Sequence, residues 1–162
     1  MLKLTKKTDY GLIALKHLAE TWRAQAAACS AKDIAEAYDV PQEALAKILQ
    51  RLVKTGFLVS HQGTHGGYTL ARGPEQISAF EVIRAIDGPL FITACTTHKG
   101  ECHQSSKCSV KEPLGKVNDS IREVLTRISV ADMMDATPRA HTEDGKSAET
   151  PRATLSALVT LS

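Results

Sequence analysis

The sequence lacks the long apolar runs that cross a membrane, and its first residues do not have the pattern of a secretory leader. No apolar stretch approaches the roughly 18 residues that span a bilayer. At the start, MLKLTKKTDYGLIALKHLAE, charged residues interrupt the apolar positions, so no secretory leader is predicted. We therefore expect a cytoplasmic protein of one domain, or of one domain with an appendage.

The net charge is also small, and there are few cysteines. The net charge is +2, which by itself is too small to indicate nucleic-acid binding. Its distribution is uneven, because residues 1–73 contain ten Lys or Arg against six Asp or Glu, while residues 129–162 contain three against five. Three of the four cysteines, Cys95, Cys102 and Cys108, fall within ACTTHKGECHQSSKC. In a reducing compartment such a group indicates metal or redox chemistry rather than a disulfide scaffold.

The amino-terminal part has the pattern of a winged helix-turn-helix domain. Apolar residues at helical spacing predict a first helix from about Thr8 to Trp22. A second helix is predicted after the N-cap Ser30, and a third from about Pro41 to Gly56. The runs FLVS and YTL flank a glycine-rich turn and predict a β-hairpin. A small α+β domain with a merely solvated helix is the alternative, but this order of elements favours DNA binding.

In such a domain the third helix enters the major groove, and the hairpin tip reaches a backbone or a minor groove. Lys47, at the centre of the polar face, is the candidate for base reading, because lysine pairs with guanine acceptors. Arg51 and Lys54 are the candidates for phosphate contacts. The full set of candidate DNA-binding residues is Gln42, Glu43, Lys47, Gln50, Arg51 and Lys54 on the helix, and Gln62 and His65 in the hairpin turn.

Two further helices follow in the pattern. ISAFEVIRAIDG has a capping box of Ser78 and Glu81 and stops at Gly88. After Pro113, apolar residues recur at the spacing of a coiled-coil seam, which favours a homodimer interface over packing on the same domain. The seam residues are Leu114, Val117, Ile121, Val124 and Ile128.

Together these patterns predict a mainly α fold with a small β hairpin. We expect a winged helix-turn-helix domain over residues 1–90 and a cysteine segment over 91–110. A long dimerisation helix is predicted over 111–134. No pattern follows Ser129, and residues 135–162, rich in Thr, Ala, Pro and charge, are predicted to be disordered.

The spacing Cys-x6-Cys-x5-Cys limits the kinds of metal centre that the three thiols could bind. Structural zinc sites usually use Cys pairs about two to four residues apart, and no such pair occurs here. A wider loop suits an iron–sulfur cluster, either 2Fe–2S or 4Fe–4S, for which thiolates are the standard ligands. Three thiolates leave one position for a histidine (His98 or His103), a carboxylate or a ligand from another chain.

Two other readings of the cysteine segment stay open. One is a zinc site of three cysteines and a histidine in a DNA-binding protein without a sensing function, and the other is a thiol-based redox sensor. An enzyme is not expected, since no pattern supplies a nucleophile with a paired base. Cys29, beside a helix cap, is interpreted as a small packed residue.

Several segments together resemble the Rrf2 family of bacterial winged-helix regulators, from about Met1 to Met134. These are LTKKTDYGLIALKHLA, HGGYTLAR, EVIRAIDGPLFITAC and the three-cysteine segment. The likeness is closest to the branch that regulates the SUF cluster-assembly operon. The resemblance implies a homodimer on a double-stranded DNA operator, a long dimerisation helix, and an iron–sulfur cluster held by Cys95, Cys102 and Cys108.

The chain departs from this family pattern at two positions. Lys111 stands where Isc-type members have a histidine ligand, and Gln62 stands where many members have an arginine. Members of the nitric-oxide-sensing branch instead use an aspartate early in the first helix, from the other subunit. Asp9 matches that position, so the resemblance implies Asp9 as fourth ligand, with His98 and His103 as rivals. A first-turn carboxylate that only favours the helix dipole is the alternative for Asp9.

Overall fold

A computed structural model of the chain describes residues 4–64, 66–91 and 107–134. These residues form helices and one antiparallel two-stranded sheet, which confirms the predicted mainly α fold with a small hairpin. The helices are α1 (Lys6–Arg23), α2 (Ala31–Tyr38), α3 (Gln42–Lys54), α4 (Ala79–Asp87), α5 (Lys111–Arg127) and α6 (Val130–Met134), and the strands are β1 (Leu58–His61) and β2 (Gly67–Leu70). Within this described part, the helices are too short or too polar to traverse a bilayer.

Helices α2 and α4 begin, and α3 ends, at the capping residues that the sequence predicts. The hydroxyl of Ser30 accepts a hydrogen bond from the Asp33 amide over 3.1 Å, and the Asp33 carboxylate accepts one from the Ser30 amide over 3.2 Å. Ser78 and Glu81 form the same reciprocal box at the start of α4. Gly56, just beyond α3, has φ +80°, which a residue with a side chain adopts only under strain. These capping predictions are confirmed.

The core lies on α1, against which α2, α3, α4, α6 and β2 pack. Its largest fully buried side chains include Leu15, Leu18, Ile34, Leu45, Leu49, Leu52, Ile77 and Val130. Gly11 lies where α1 meets α3 and α4, and a Cβ there would come within 2.3 Å of Ile86 Cδ1. A side chain at this position would displace the end of Ile86, so glycine permits the close approach of α1 to the other two helices.

The hairpin has an additional backbone contact at its edge. The amide of Cys29 donates to the Tyr68 carbonyl over 3.2 Å, and the Tyr68 amide donates back over 2.8 Å. Gly67 permits this approach, because a Cβ there would lie 2.5 Å from the Cys29 carbonyl oxygen. Cys29 is partly buried against the core, in agreement with its interpretation as a packed residue.

The carboxy-terminal helix differs from the single helix predicted over 111–134. α5 ends at Arg127, Ile128 is extended, and a new capping box of Ser129 and Asp132 starts α6. Backbone bonds return the chain to the core: Ala79 donates to the Ile128 carbonyl over 2.7 Å, and Val130 donates to the Ile77 carbonyl over 2.8 Å. After the break, Val130 is fully buried in the core.

Candidate nucleic-acid interface and cysteine segment

The exposed face of α3 carries the residues predicted to read DNA. The helix buries Leu45, Ile48, Leu49 and Leu52, which recur at i, i+3, i+4 and i+7 and fix its rotation on the core. As a result the opposite face is exposed, with Gln42, Glu43, Lys47, Gln50, Arg51 and Lys54 in solvent. The surface geometry thus supports the predicted DNA-binding face, and the roles of its single residues remain predictions.

The turn between α2 and α3 is tight. Asp39 adopts the left-handed conformation at φ +51°, Val40 is buried, and Pro41 precedes the first residue of α3. Asp39 is a residue type that tolerates this conformation. The turn makes α2 and α3 a helix-turn-helix unit, with α3 in the place of a recognition helix.

The three basic residues on α3 differ in their surroundings. Arg51 Nε donates a hydrogen bond to the Ala85 carbonyl, in the last turn of α4, over 2.6 Å. Lys47 and Lys54 have no hydrogen-bond or ion-pair partner among the described residues. Arg51, a candidate phosphate contact, therefore also links the recognition helix to the end of α4.

The hairpin forms a wing beside α3. Its strands pair from Leu58 with Leu70 to His61 with Gly67. Gln62 is exposed directly after β1, and Gly63, at φ +111°, turns the chain. His65 lies outside the described residues, so only Gln62 of the two predicted wing contacts is located.

An ion pair anchors the base of the wing to α4. Arg72, just after β2, lies 3.3 Å from the Glu81 carboxylate, and its guanidinium stacks on the Phe57 ring at 5.2 Å. Burial raises the pKa of Glu81, but the Ser78 amide and hydroxyl and the Arg72 charge outweigh it, so the pKa lies below its usual value. Glu81 is thus held ionised, as both helix cap and wing anchor.

Two of the four predicted cluster ligands are located. Cys108 is a free, half-buried thiol that precedes the first turn of α5, and Asp9 is exposed in the first turn of α1. Cys95, Cys102, His98 and His103 lie outside the described residues. Among the residues that are described, no three His, Cys, Asp or Glu side chains converge as metal ligands. The ligand set remains a prediction.

The turn that carries Asp9 is tied to the end of α4, where the chain leaves for the cysteine segment. The Asp87 carboxylate accepts hydrogen bonds from the hydroxyls of Thr5 and Thr8 over 2.6 and 2.7 Å. Burial raises the pKa of Asp87, but these bonds and the Lys7 charge outweigh it, so the pKa lies below its usual value. Thr8 is fully buried and Asp87 is exposed, so the contact joins a buried side chain of α1 to the exposed end of α4. The sequence contained no signal for it.

α5 exposes the apolar seam predicted for a dimer. No residue of this helix is buried, and Val117, Val124 and Ile128 are 49%, 57% and 37% exposed. Its other side reaches α4, where the Arg122 guanidinium lies 5.3 Å from the Phe80 ring centre. An exposed apolar stripe of this length typically marks an interaction surface.

Comparisons with known proteins agree with this architecture. Residues 4–136 match the family described as Rrf2, iron-dependent transcriptional regulator. The HTH-type transcriptional regulator NsrR of Bacillus licheniformis is 31% identical over 134 residues, which cover 82% of this chain and 92% of that protein. The structure of IscR from T. potens is 32% identical, with a TM-score of 0.64 over 82% of this chain and 86% of that one. CymR, the global cysteine regulator of B. subtilis, is 25% identical, with a TM-score of 0.68 over 83% of this chain and 97% of that one.

Proposed function

Because the chain belongs to the Rrf2 family of transcriptional regulators, we propose that it is a homodimeric repressor or activator whose affinity for a DNA operator is set by an iron–sulfur cluster. The observation that carries the proposal is the group of three cysteines in a chain that has four, within a family described as iron-dependent. The regulated genes would serve iron–sulfur assembly or a redox or nitric-oxide response, as the resemblance to Isc-type and SUF-type members implies.

Cys95, Cys102 and Cys108 would hold the cluster, with Asp9 of the other subunit as fourth ligand. The located donors fit this role, since Cys108 is a free thiol and Asp9 projects its carboxylate into solvent. Thiolates are the usual ligands of such clusters, whereas a carboxylate is a harder and weaker one. A bound cluster would supply a centre that responds to oxygen, nitric oxide or reduction.

The arrangement of helices suggests how the cysteine segment affects DNA binding. The segment connects α4, which contacts α1 and α3, with α5, which carries the apolar seam. A change in its conformation would shift α5 relative to α3 and so change the distance between the two recognition helices of a dimer. Affinity for two half-sites depends on that distance, because each helix must reach its own stretch of major groove.

A thiol-based sensor without a cluster is the second candidate. It is favoured by the likeness to CymR, a global cysteine regulator. In that case oxidation of a thiol in the cysteine segment, to a sulfenic acid or a disulfide, would be the signal.

Anaerobic purification followed by iron and acid-labile sulfide analysis tests the proposal. The parent chain should contain iron and sulfide and absorb visible light, and Cys108→Ala should lose both while keeping its helical circular dichroism. Cys29→Ala is the matched control, since Cys29 packs beside the wing and should leave the iron content unchanged. A colourless parent chain without iron would reject the cluster and leave the thiol sensor.

A further inference from the structure

A cationic groove lies where the start of α1, the exposed face of α3 and the end of α4 meet. Its volume is about 520 Å³. Lys7 from α1 and Lys47 and Arg51 from α3 line it, and Ile48 and Ile86 form apolar walls. No sequence pattern places Lys7 beside the recognition helix, because Lys7 and Lys47 are forty residues apart.

Lys7 is held at this groove by a rigid support. Thr5 and Thr8, which flank it at the helix start, both donate hydrogen bonds to Asp87. One turn further on, Gly11 packs directly on Ile86 and Ile48. The first turn of α1 is therefore fixed on both of the helices that form the rest of the groove.

We propose that this groove binds a phosphate of the DNA backbone and that Lys7 is the residue that contacts it. With α3 in the major groove, the phosphates that border that groove run alongside the helix. The side chain of Lys7 ends in an amine that pairs with phosphate oxygens, and the positive end of the α1 dipole adds to its attraction. Lys7 thus extends the DNA interface from α3 to α1.

One acidic residue, Glu43, also lines the groove. It lies eight residues before Arg51 on α3, which corresponds to about 12 Å along the helix axis. Its repulsion therefore favours binding of the phosphate at the Arg51 end. Arg51 is oriented there by its bond to the Ala85 carbonyl.

The test is a salt titration of binding to a random-sequence DNA duplex of about 30 base pairs, measured by fluorescence anisotropy. Lys7→Gln should reduce the slope of log affinity against log salt by roughly 0.9 per protomer, and lower affinity roughly threefold to tenfold at low salt. Lys7→Arg should retain the slope of the parent. Lys116→Gln is the matched control, because Lys116 is exposed on α5, where it pairs with Glu112 over 3.0 Å.

The outcomes separate this inference from the family function on which it rests. A parent chain that fails to bind duplex DNA would reject the DNA-binding role itself. A parent that binds, with an unchanged slope in Lys7→Gln, would overturn only the phosphate contact. If Lys7→Gln lowers the melting temperature without changing the slope, Lys7 acts on Asp87 and not on DNA, and the proposal is also overturned.

Discussion

The hydroxyl of Thr8, near the start of α1, donates a hydrogen bond of 2.7 Å to the carboxylate of Asp87, the last residue of α4. Thr8 is fully buried and Asp87 is exposed, so the bond joins a core residue to the surface end of α4, although the two residues are far apart in sequence. It joins the turn that carries Asp9 to the point where the chain leaves for the cysteine segment.

Asp87→Ala should lower the free energy of unfolding by about 1–3 kcal/mol, because it leaves the buried Thr8 hydroxyl without an acceptor. Thr8→Val removes the hydroxyl at nearly constant shape, so the double variant should be less destabilised than the sum of the two single variants. Urea denaturation of all four proteins measures this coupling. If the losses in free energy of unfolding of the two single variants simply add up in the double variant, the Thr8–Asp87 bond does not contribute to stability.

Asp9→Ala should yield a cluster that assembles but decays faster in air, because the carboxylate would be its weakest ligand. The decay of visible absorbance after exposure to oxygen measures the lifetime. Glu20→Ala is the matched control, as Glu20 is an exposed carboxylate on the same helix, paired with Lys16. If Asp9→Ala decays like the parent while a His98 or His103 variant decays faster, the fourth ligand lies in the cysteine segment.

Lys47→Ala should weaken binding to the operator by about 1–3 kcal/mol and relax the preference at one base position. Lys54→Ala should weaken binding to all duplexes about equally and reduce the salt slope. Binding to a randomised operator library followed by sequencing distinguishes the two. Identical profiles for both variants would contradict the division of α3 into reading and anchoring positions.

Glu81→Gln should lower the free energy of unfolding by about 0.5–1 kcal/mol at neutral pH, the range for a helix cap with a partly exposed ion pair. The pKa of Glu81 is lower in the folded state than its ordinary 4.5, so its ionised form stabilises the fold above that pH. This contribution is lost as pH falls through the folded-state pKa. The difference between parent and variant, measured by denaturation at several pH values, should therefore shrink in acid; a constant difference would contradict it.

Val124→Glu should disrupt the homodimer, because it places a charge in the centre of the exposed seam of α5. Sedimentation velocity should show a monomer at concentrations where the parent is dimeric. Asp119→Lys, a larger charge change at an exposed position away from the seam, should leave the dimer intact. A dimer that survives Val124→Glu would assign the interface to another surface.

Local signals predicted the DNA-binding half well. The structure contains the predicted capping boxes at Ser30 and Ser78, the glycine after α3 and the apolar stripe of α3. Each of these features depends on residues within about one or two helical turns of each other. The same kind of signal, Ser129 with Asp132, starts α6 but was missed, because the polar sequence that follows dominates the composition of that region.

Contacts between distant segments could not be predicted. The pairing of Asp87 with Thr8, and that of Arg51 with the Ala85 carbonyl, depend on how α1, α3 and α4 cross, which no periodicity specifies. The burial of Trp22 could not be predicted from local spacing either. This residue continues the apolar spacing of α1, yet it is 46% exposed, because the helix extends beyond the core at that end. The cluster ligands rest on the cysteine spacing and the family likeness.

The backbone hydrogen bonds at Ile128 and Val130 attach only one end of α5 to the core, so a rotation about that end would move the other. They fix its carboxy-terminal end to the residues around Ser78, while its other end begins at Lys111, three residues after Cys108. A 17-residue helix is about 25 Å long. A rotation of about 10° around the fixed end would move the start of α5 by about 4 Å, given that length. Conversely, a displacement of a few ångströms at Cys108 would require a change in the angle of α5, and a local movement of one thiol would then tilt the whole seam.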